Sequence, residues 1–209
     1  MKKITVLRGG RGHRKQVNIF LDGKFAFGPE AEKSARKRAD AKTIAAPGKS
    51  DNFQHCFDIA VRYLSYRPRS ESELIEKLRQ RGADNDSIEA AIARLKELGL
   101  VDDSAFAEFW KENRESFSPR SRWLTGLELR RKGVANDIID RVVEAIDDDD
   151  SAYRAALNKV RNLSQPDYQK FRQQLGGYLK RHGFSYSVIN HTVERLWHDR
   201  INHAGSILP

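Results

Sequence analysis

The stretch RQRGADNDSI, residues 79–88, has two near copies in the same chain, RRKGVANDII at 130–139 and KRHGFSYSVI at 180–189. Each copy has basic residues before a glycine and an isoleucine six positions after it. A basic last turn followed by glycine is typical of a helix C-terminus, because glycine readily adopts the positive φ found there. Each copy therefore predicts a corner between two helices.

The agreement between the copies extends over both flanking helices. The three glycines, Gly82, Gly133 and Gly183, recur about every 50 residues, an interval found in repeat proteins. Apolar residues stand four before and six, ten and thirteen after each glycine: Leu78, Leu129 and Leu179; Ile88, Ile139 and Ile189; Ile92, Val143 and Val193; Leu95, Ile146 and Leu196. A register shared by three copies indicates tandem repeats.

A further helix precedes each pair. Phe57, Ala60, Val61 and Leu64 have the i, i+3, i+4, i+7 spacing of a core-facing helix, and residues 153–160 repeat it, whereas residues 106–113 are less regular. A proline follows each of these helices: Pro68, Pro119 and Pro166. We therefore predict a mainly α fold of three-helix repeats. Because a unit of about 50 residues is marginal alone, the repeats are expected to pack end to end in an elongated curved array.

The N-terminal residues have a different pattern. VNIFLDGKFAFG, residues 17–28, alternates apolar and polar residues around Asp22-Gly23, which predicts a β-hairpin with a type I′ turn, and ITVL at 4–7 could add a third strand. The sequence thus predicts a small N-terminal antiparallel hairpin or sheet. We divide the chain into a β-hairpin segment (1–29), a charged helix and linker (30–52), three repeats (53–100, 101–150 and 151–199) and a C-terminal tail (200–209).

Charge and composition limit the classes of partner. Lys and Arg number 38 against 29 Asp and Glu, which gives a net charge of +9 and favours a polyanionic partner such as nucleic acid. The alternative is that the charge serves only solubility. The lone Cys56 excludes an intrachain disulfide and fits a reducing compartment. With neither a long apolar run nor a signal-peptide core in the sequence, we expect a cytoplasmic protein without a membrane partner.

The candidate binding residues are basic side chains on and around the helix before each glycine: Arg69, Arg79, Arg81, Arg120, Arg122, Arg130, Arg131, Lys132, Lys180 and Arg181. If the repeats hold these helices in equivalent positions, the side chains form a discontinuous positive stripe suited to a nucleic-acid backbone or a protein filament. The alternative is that each cation merely favours the helix dipole, at about 0.3–1 kcal/mol. For the whole array we favour binding.

Base reading by a helix-turn-helix is disfavoured, because the helices after the turns carry Glu89, Glu97, Asp140 and Glu144, which phosphates would repel. The basic loop RGGRGHRK at 8–15 lacks the spacing of a P-loop, and the six histidines lack metal-ligand partners. Asp147 to Asp150 is interpreted as a helix cap rather than a cation site. Trp110, Trp123 and Trp197 lie within or beside apolar stripes, which favours core packing over base stacking. We expect no catalytic, cofactor or metal site.

Two segments resemble the bacterial RecX regulatory proteins: YLSYRPRSESELIEKLRQRG at 63–82 and LGLVDDSAFAEFW at 98–110. The combination R-x-R-S-x-x-E-L, K-L-x-x-x-G and D-D-x-x-F-A is not general helical-repeat sequence, and the resemblance extends over roughly residues 57–197. VNIFLDGKFAFG is similar to the N-terminal segment of many members.

The resemblance implies a noncatalytic modulator of the RecA recombinase. Such a protein lodges along the groove of the RecA–DNA filament, lowers ATP hydrolysis and strand exchange, and so affects recombination, DNA repair and the SOS response. The implied partners are the RecA filament and, weakly and without sequence preference, single- and double-stranded DNA. Internal repetition lessens the need for a dimer, so we expect a monomer. An independent helix-turn-helix-like transcription regulator is the alternative.

Overall fold

The computed structural model of the chain describes residues 4–9, 16–21, 24–27, 49–161 and 167–205. Most of these residues are helical, so the fold is mainly α, as the apolar spacing predicts. The chain forms two compact units, Met1–Phe106 and Ala107–Pro209. Within the described residues, no helix has the length and apolar character needed to cross a membrane.

Three N-terminal strands form an antiparallel sheet in the order β1-β2-β3. The strands are β1 (Ile4–Gly9), β2 (Gln16–Leu21) and β3 (Lys24–Phe27). Ile4 pairs with Leu21, and Leu21 pairs with Lys24 in the next strand, with a register shift between Ile19 and Phe20. The predicted turn at Asp22-Gly23, the basic loop at 10–15 and the charged stretch at 30–48 lie outside the described residues.

Nine helices follow in the described part of the chain, and they group into the three predicted trios. Repeat 1 consists of α1 (Lys49–Leu64), α2 (Glu71–Arg79) and α3 (Asn85–Glu97). Repeat 2 consists of α4 (Asp103–Phe117), α5 (Arg122–Arg131) and α6 (Asn136–Glu144). Repeat 3 consists of α7 (Asp148–Val160), α8 (Tyr168–Arg181) and α9 (Tyr186–Gly205).

The corner between the second and third helix has the same geometry in every repeat. Gly82, Gly133 and Gly183 have φ values of +79°, +75° and +85°. Each glycine amide donates to the carbonyl oxygen three residues earlier, at 2.9, 3.0 and 3.0 Å. The next amide donates to the carbonyl oxygen of the aligned leucine, at 3.2, 3.2 and 3.3 Å. These bonds satisfy carbonyls that a helix end leaves open, and they confirm the three predicted corners.

The middle helix of each repeat begins at a side-chain cap. Ser70 accepts a hydrogen bond from the Glu73 amide, and the Glu73 carboxylate accepts one from the Ser70 amide, so the predicted capping box is present. Ser121 accepts from the Leu124 amide at the start of α5, and Asp167 caps α8 in the same way. The caps fix where each middle helix starts.

In repeats 1 and 2, an aspartate of the following repeat also accepts a hydrogen bond from the start of the middle helix. The first residue of α4, Asp103, accepts a hydrogen bond from the Glu71 amide at 2.8 Å. The first residue of α7, Asp148, accepts one from the Arg122 amide at 2.6 Å. The donors are the first amides of α2 and α5, which have no partner inside their own helices.

The acidic run at the start of α7 forms the predicted helix cap. Asp147 accepts hydrogen bonds from the Asp149 and Asp150 amides.

The aligned apolar residues form the cores. Leu78, Leu129 and Leu179 are at most 1% exposed. In repeat 1, Leu78 shares the core with large side chains of α1 such as Phe57. In repeat 3, α7 contributes alanines, and the large core side chain is Phe171 of α8. The three repeats thus share a register while distributing volume differently among their helices.

One core prediction is wrong. Trp123 is 66% exposed, although it was expected to pack in the core. The buried face of α5 consists of Thr125, Gly126 and Leu129, so Trp123 stands at the second residue of the helix, before that face begins. Trp197, by contrast, packs against the core of repeat 3, with its ring 5.3 Å from that of Phe171.

Candidate functional site

Six of the ten predicted cations are exposed at the three equivalent corners. They lie in the last turn of the middle helix or directly after it: Arg79, Arg81, Arg130, Arg131, Lys180 and Arg181. A cation there interacts favourably with the negative end of the helix dipole, which accounts for part of the pattern. Arg130 also donates from Nε to Asn136 Oδ1 across its corner, at 3.2 Å. The corners therefore carry a basic group at the same place in each repeat.

The other four predicted cations are held by intramolecular contacts. Arg122 donates from Nη2 to the Ile146 carbonyl oxygen at 2.8 Å. The remaining three, Arg69, Arg120 and Lys132, are half-buried against aromatic or acidic side chains of their own repeat. They form part of two clusters that the sequence pattern did not predict.

The first, the Tyr63 cluster, consists of Tyr63, Arg69, Lys77 and Arg81. The Arg69 guanidinium lies 5.0 Å from the centre of the Tyr63 ring, and Lys77 Nζ lies 5.3 Å from it. Hydrogen bonds from Arg81 and Lys77 to the Tyr63 hydroxyl lower the pKa of Tyr63. Three cations thus converge on one aromatic side chain.

The second, the Trp110 cluster, consists of Trp110, Arg114, Arg120, Glu128 and Lys132. The indole Nε1 and Arg114 Nε each donate to Glu128 Oε2 at 2.8 Å, and Arg120 donates to the other oxygen. Lys132 Nζ lies 4.2 Å and the Arg114 guanidinium 4.7 Å from the ring centre. The negative charge of Glu128 therefore neutralises one of the three positive charges in this cluster.

The two clusters occupy equivalent places in their repeats. In each, the aromatic residue comes from the first helix of the repeat. One cation, Arg69 or Arg120, directly precedes the serine cap, and another, Arg81 or Lys132, directly precedes the corner glycine. This recurrence of cations on both sides of the middle helix was visible in the sequence. Their grouping beside an aromatic residue of the first helix depends on how that helix packs.

Repeat 3 departs from this arrangement. His182 takes the place before the glycine, and its ring lies 4.2 Å from that of Tyr178, centre to centre. Burial lowers the pKa of His182, and the nearby charges of Arg120 and Arg181 act in the same direction. With a neutral imidazole at this place, the third corner has the two cations Lys180 and Arg181, whereas the second has three, Arg130, Arg131 and Lys132.

The Tyr63 cluster has an excess of positive charge that an anion could complement. No carboxylate belongs to it, and nearby Glu73 already pairs with Arg67 at 2.9 Å. Burial, and next the charge of Arg67, lower the pKa of Arg69. Such a cluster suits the binding of a phosphate or carboxylate.

The helices after the corners expose acidic side chains. Glu89 and Glu97 of α3, and Asp140 and Glu144 of α6, are all exposed. A helix that entered the major groove with these side chains would meet phosphate repulsion. In repeats 1 and 2, exposed carboxylates therefore lie on the helix after the corner, while exposed cations lie at the C-terminal end of the helix before it.

Comparison with known proteins gives the same division into three-helix units. Family models described as the first, second and third three-helix domains of RecX match residues 56–95, 102–143 and 147–193. The regulatory protein RecX of Clostridium perfringens strain 13 is 30% identical over 207 residues, which are 94% of this chain and 97% of the relative. RecX of Chlorobaculum tepidum is 37% identical over 138 residues, 66% of this chain and 85% of the relative.

Two solved structures have similar folds. RecX from Lactobacillus salivarius is 25% identical, with a TM-score of 0.60, and covers 70% of this chain and 97% of its own. A second structure, of a regulatory protein RecX, has the same identity and TM-score and covers 93% of this chain and 100% of its own. With three domain models in order and relatives matched over nearly their full length, the chain belongs to the RecX family of regulatory proteins.

Proposed function

We propose that the protein is a noncatalytic regulator that binds the RecA recombinase filament along its groove and inhibits ATP hydrolysis and strand exchange. It thereby modulates recombination and DNA repair in the cytoplasm. The observation that carries the proposal is the recurrence of exposed cations at three equivalent helix ends: Arg79 and Arg81, Arg130 and Arg131, and Lys180 and Arg181. Membership in a family of regulatory proteins supports it.

A periodic cationic surface matches a periodic target. A filament on DNA presents the same protomer surface and the same phosphate spacing again and again, so each repeat can make a similar contact. The chain's net charge of +9 favours association with such a polyanion over long range. We assign the same surface to weak, sequence-independent binding of single- and double-stranded DNA, and we expect the protein to act as a monomer.

The two aromatic clusters support a contact of this kind at repeats 1 and 2. Arg69 is held against Tyr63 and Lys132 against Trp110, so less side-chain freedom is lost when they bind an anion. The exposed cations at the corners add positive charge around these two clusters. Repeat 3, with His182 in this place, contributes less to phosphate binding in the proposal.

The test is RecA ATPase activity on single-stranded DNA with substoichiometric amounts of this protein. Inhibition well below one molecule per protomer indicates action on the filament rather than competition for DNA. The double variant Arg130→Glu, Arg131→Glu should lose most of the inhibition while keeping its helicity. On duplex DNA, where each neutralised phosphate contributes about 0.9 to the salt slope, it should reduce that slope by about 2.

The matched control is the double variant Arg94→Glu, Arg141→Glu. It changes the net charge equally, but it lies on α3 and α6, where both arginines make exposed pairs of small energetic value. This control should inhibit like the wild type. If the folded Arg130→Glu, Arg131→Glu protein inhibits as well as the control, the corner surface has no part in the mechanism.

A further inference from the structure

A groove of about 680 Å³ lies between α8 and α9 of repeat 3. Its floor contains Gly176, Phe184 and Ile189, and the last two side chains are buried. Its rim is polar and basic, with cations contributed by Lys170, Arg172 and Lys180. The groove thus combines an apolar recess with a positively charged edge, and it shares no residue with the Tyr63 and Trp110 clusters.

Repeat 1 provides an internal comparison. Its groove at the equivalent place, between α2 and α3, has about 370 Å³. Ile75 lines that groove seven residues before Gly82, whereas Gly176 stands seven residues before Gly183. The missing branched side chain accounts for the wider space in repeat 3. Because glycine weakens a helix interior relative to alanine, helix stability does not explain Gly176 in the middle of α8, whereas the space that it leaves in the groove does.

The charges differ between the two grooves as well. The repeat 1 groove has Glu71 eleven residues before its glycine and Glu89 seven residues after it. The corresponding residues in repeat 3 are Arg172 and Asn190. Lys96 Nζ lies 2.6 Å from Glu71, so the repeat 1 groove is internally compensated. No carboxylate lines the repeat 3 groove, and no ion pair is formed by its three cations among the described residues.

A hydrogen-bonded aromatic side chain, Tyr186, lies at the rim of the groove. Tyr186 is 71% exposed, yet its hydroxyl accepts a hydrogen bond from Arg172 Nη2 at 3.1 Å. A hydrogen bond with Asn190 and the charge of Arg172 lower the pKa of Tyr186. The contact holds the ring and the guanidinium side by side, and the guanidinium keeps further N–H groups for an incoming carboxylate.

We propose that this groove binds an acidic peptide segment of a partner protein, with an apolar side chain of the segment inserted over Gly176 and its carboxylates at Lys170, Arg172 and Lys180. Charge complementarity selects the acidic segment, since the groove offers three cations and no carboxylate. The recess selects the apolar anchor, since Phe184 and Ile189 offer it no hydrogen bond. The site goes beyond the proposed function, because it requires neither DNA nor a filament.

A peptide fits the groove better than single-stranded nucleic acid does. Bases bind by stacking on open aromatic faces along a basic track. Here the apolar surface is a recess floored by Ile189 and a glycine, and the one exposed ring, Tyr186, is tied at its hydroxyl to Arg172. An aliphatic or aromatic side chain fills such a recess, whereas a phosphodiester backbone would leave it empty.

The experiment measures direct binding to the full chain by fluorescence anisotropy. The probe is a labelled twelve-residue peptide of glutamate and leucine, with the leucines three and four residues apart. Gly176→Ile, which copies the residue of repeat 1, should weaken binding at least tenfold by filling the recess. The double variant Arg172→Glu, Lys180→Glu should also weaken it at least tenfold, and it keeps the test valid if Gly176→Ile fails to fold.

Arg161→Glu, an exposed charge reversal on the same repeat outside the groove, should bind the probe within twofold of wild type. A twelve-residue polyglutamate without leucine should bind at least tenfold more weakly than the probe. Equal binding of the two peptides, or a Gly176→Ile protein that binds normally, would overturn the proposal. So would a twelve-nucleotide oligothymidine that binds more tightly than the probe and loses binding in Gly176→Ile, since the occupant would then be nucleic acid. Because no recombinase is present, these outcomes are independent of the ATPase test.

Discussion

Substituting alanine at two of the corner glycines should have unequal effects, although their backbone angles are almost the same. Gly82 and Gly183 have φ values of +79° and +85°. An alanine in this conformation costs about 1–2 kcal/mol through contact between its Cβ and the backbone. If backbone conformation were all that mattered, Gly82→Ala and Gly183→Ala would destabilise their units equally.

The surroundings of the two glycines differ. A Cβ at Gly82 would have no neighbour within 4 Å, whereas a Cβ at Gly183 would lie 2.6 Å from both Leu124 Cβ and Ser121 Oγ. Leu124 Cβ is fixed to its helix and cannot rotate away. Overpacking of this kind costs about 1–3 kcal/mol beyond the backbone strain. The shift it requires would also disturb the hydrogen bond from the Ser121 amide to the His182 carbonyl oxygen, 3.0 Å long.

We therefore expect about 2–5 kcal/mol for Gly183→Ala against about 1–2 kcal/mol for Gly82→Ala. At about 4–8 °C per kcal/mol for a unit of this size, the Tm of the affected unit should fall by at least about 8 °C in the first case. Scanning calorimetry measures the shifts. Amide hydrogen exchange identifies the unit in which each shift arises. Exchange should accelerate in α5 and α8 for Gly183→Ala and in α2 for Gly82→Ala. Equal shifts, or a larger one for Gly82→Ala, would refute the reasoning.

Three further predictions concern caps, charges and pH. Ser70→Ala should destabilise repeat 1 by about 0.5–2 kcal/mol by removing its capping box, whereas Ser72→Ala, at an exposed place on the same helix, should change stability by under about 0.5 kcal/mol in chemical denaturation. Glu128→Gln should cost about 1–3 kcal/mol and change the Trp110 fluorescence, because Arg114 and its neighbours lose their carboxylate; unchanged fluorescence would contradict the cluster. Because the pKa of His182 is lowered on folding, the unfolded chain takes up more protons, and stability should fall as the pH drops below about 6.5. His182→Gln should flatten this dependence of Tm on pH, and an unchanged slope would rule out His182 as its source.

The features that were predictable from the sequence are those set by local chemistry. A glycine after a basic turn, a serine three residues before a glutamate, and an aspartate at a helix start each act within a few residues, so the corners, the capping box and the Asp147 cap could be assigned. The triple register then fixed which apolar residues face the cores. These assignments required no knowledge of how the helices cross.

Features that depend on helix packing were not predictable. Trp123 was assigned to the core because it neighbours apolar residues, but α5 is short and buries Thr125 and Gly126 instead. The Tyr63 and Trp110 clusters require the first helix of a repeat to pass beside the corner, which spacing within one helix does not reveal. The role of Gly176 in widening its groove was not predictable either, because it depends on a comparison with the groove that Ile75 lines in repeat 1.

The carboxylates Asp103 and Asp148 give the repeats overlapping ends. Each belongs by sequence to one trio and by hydrogen bonding to the trio before it. A gene duplication or a laboratory truncation that cut between the trios would leave the preceding middle helix with an open amide. A transplantable module therefore has to carry the opening aspartate of its successor, and arrays assembled from this protein should be spliced within the first helix rather than at the turn.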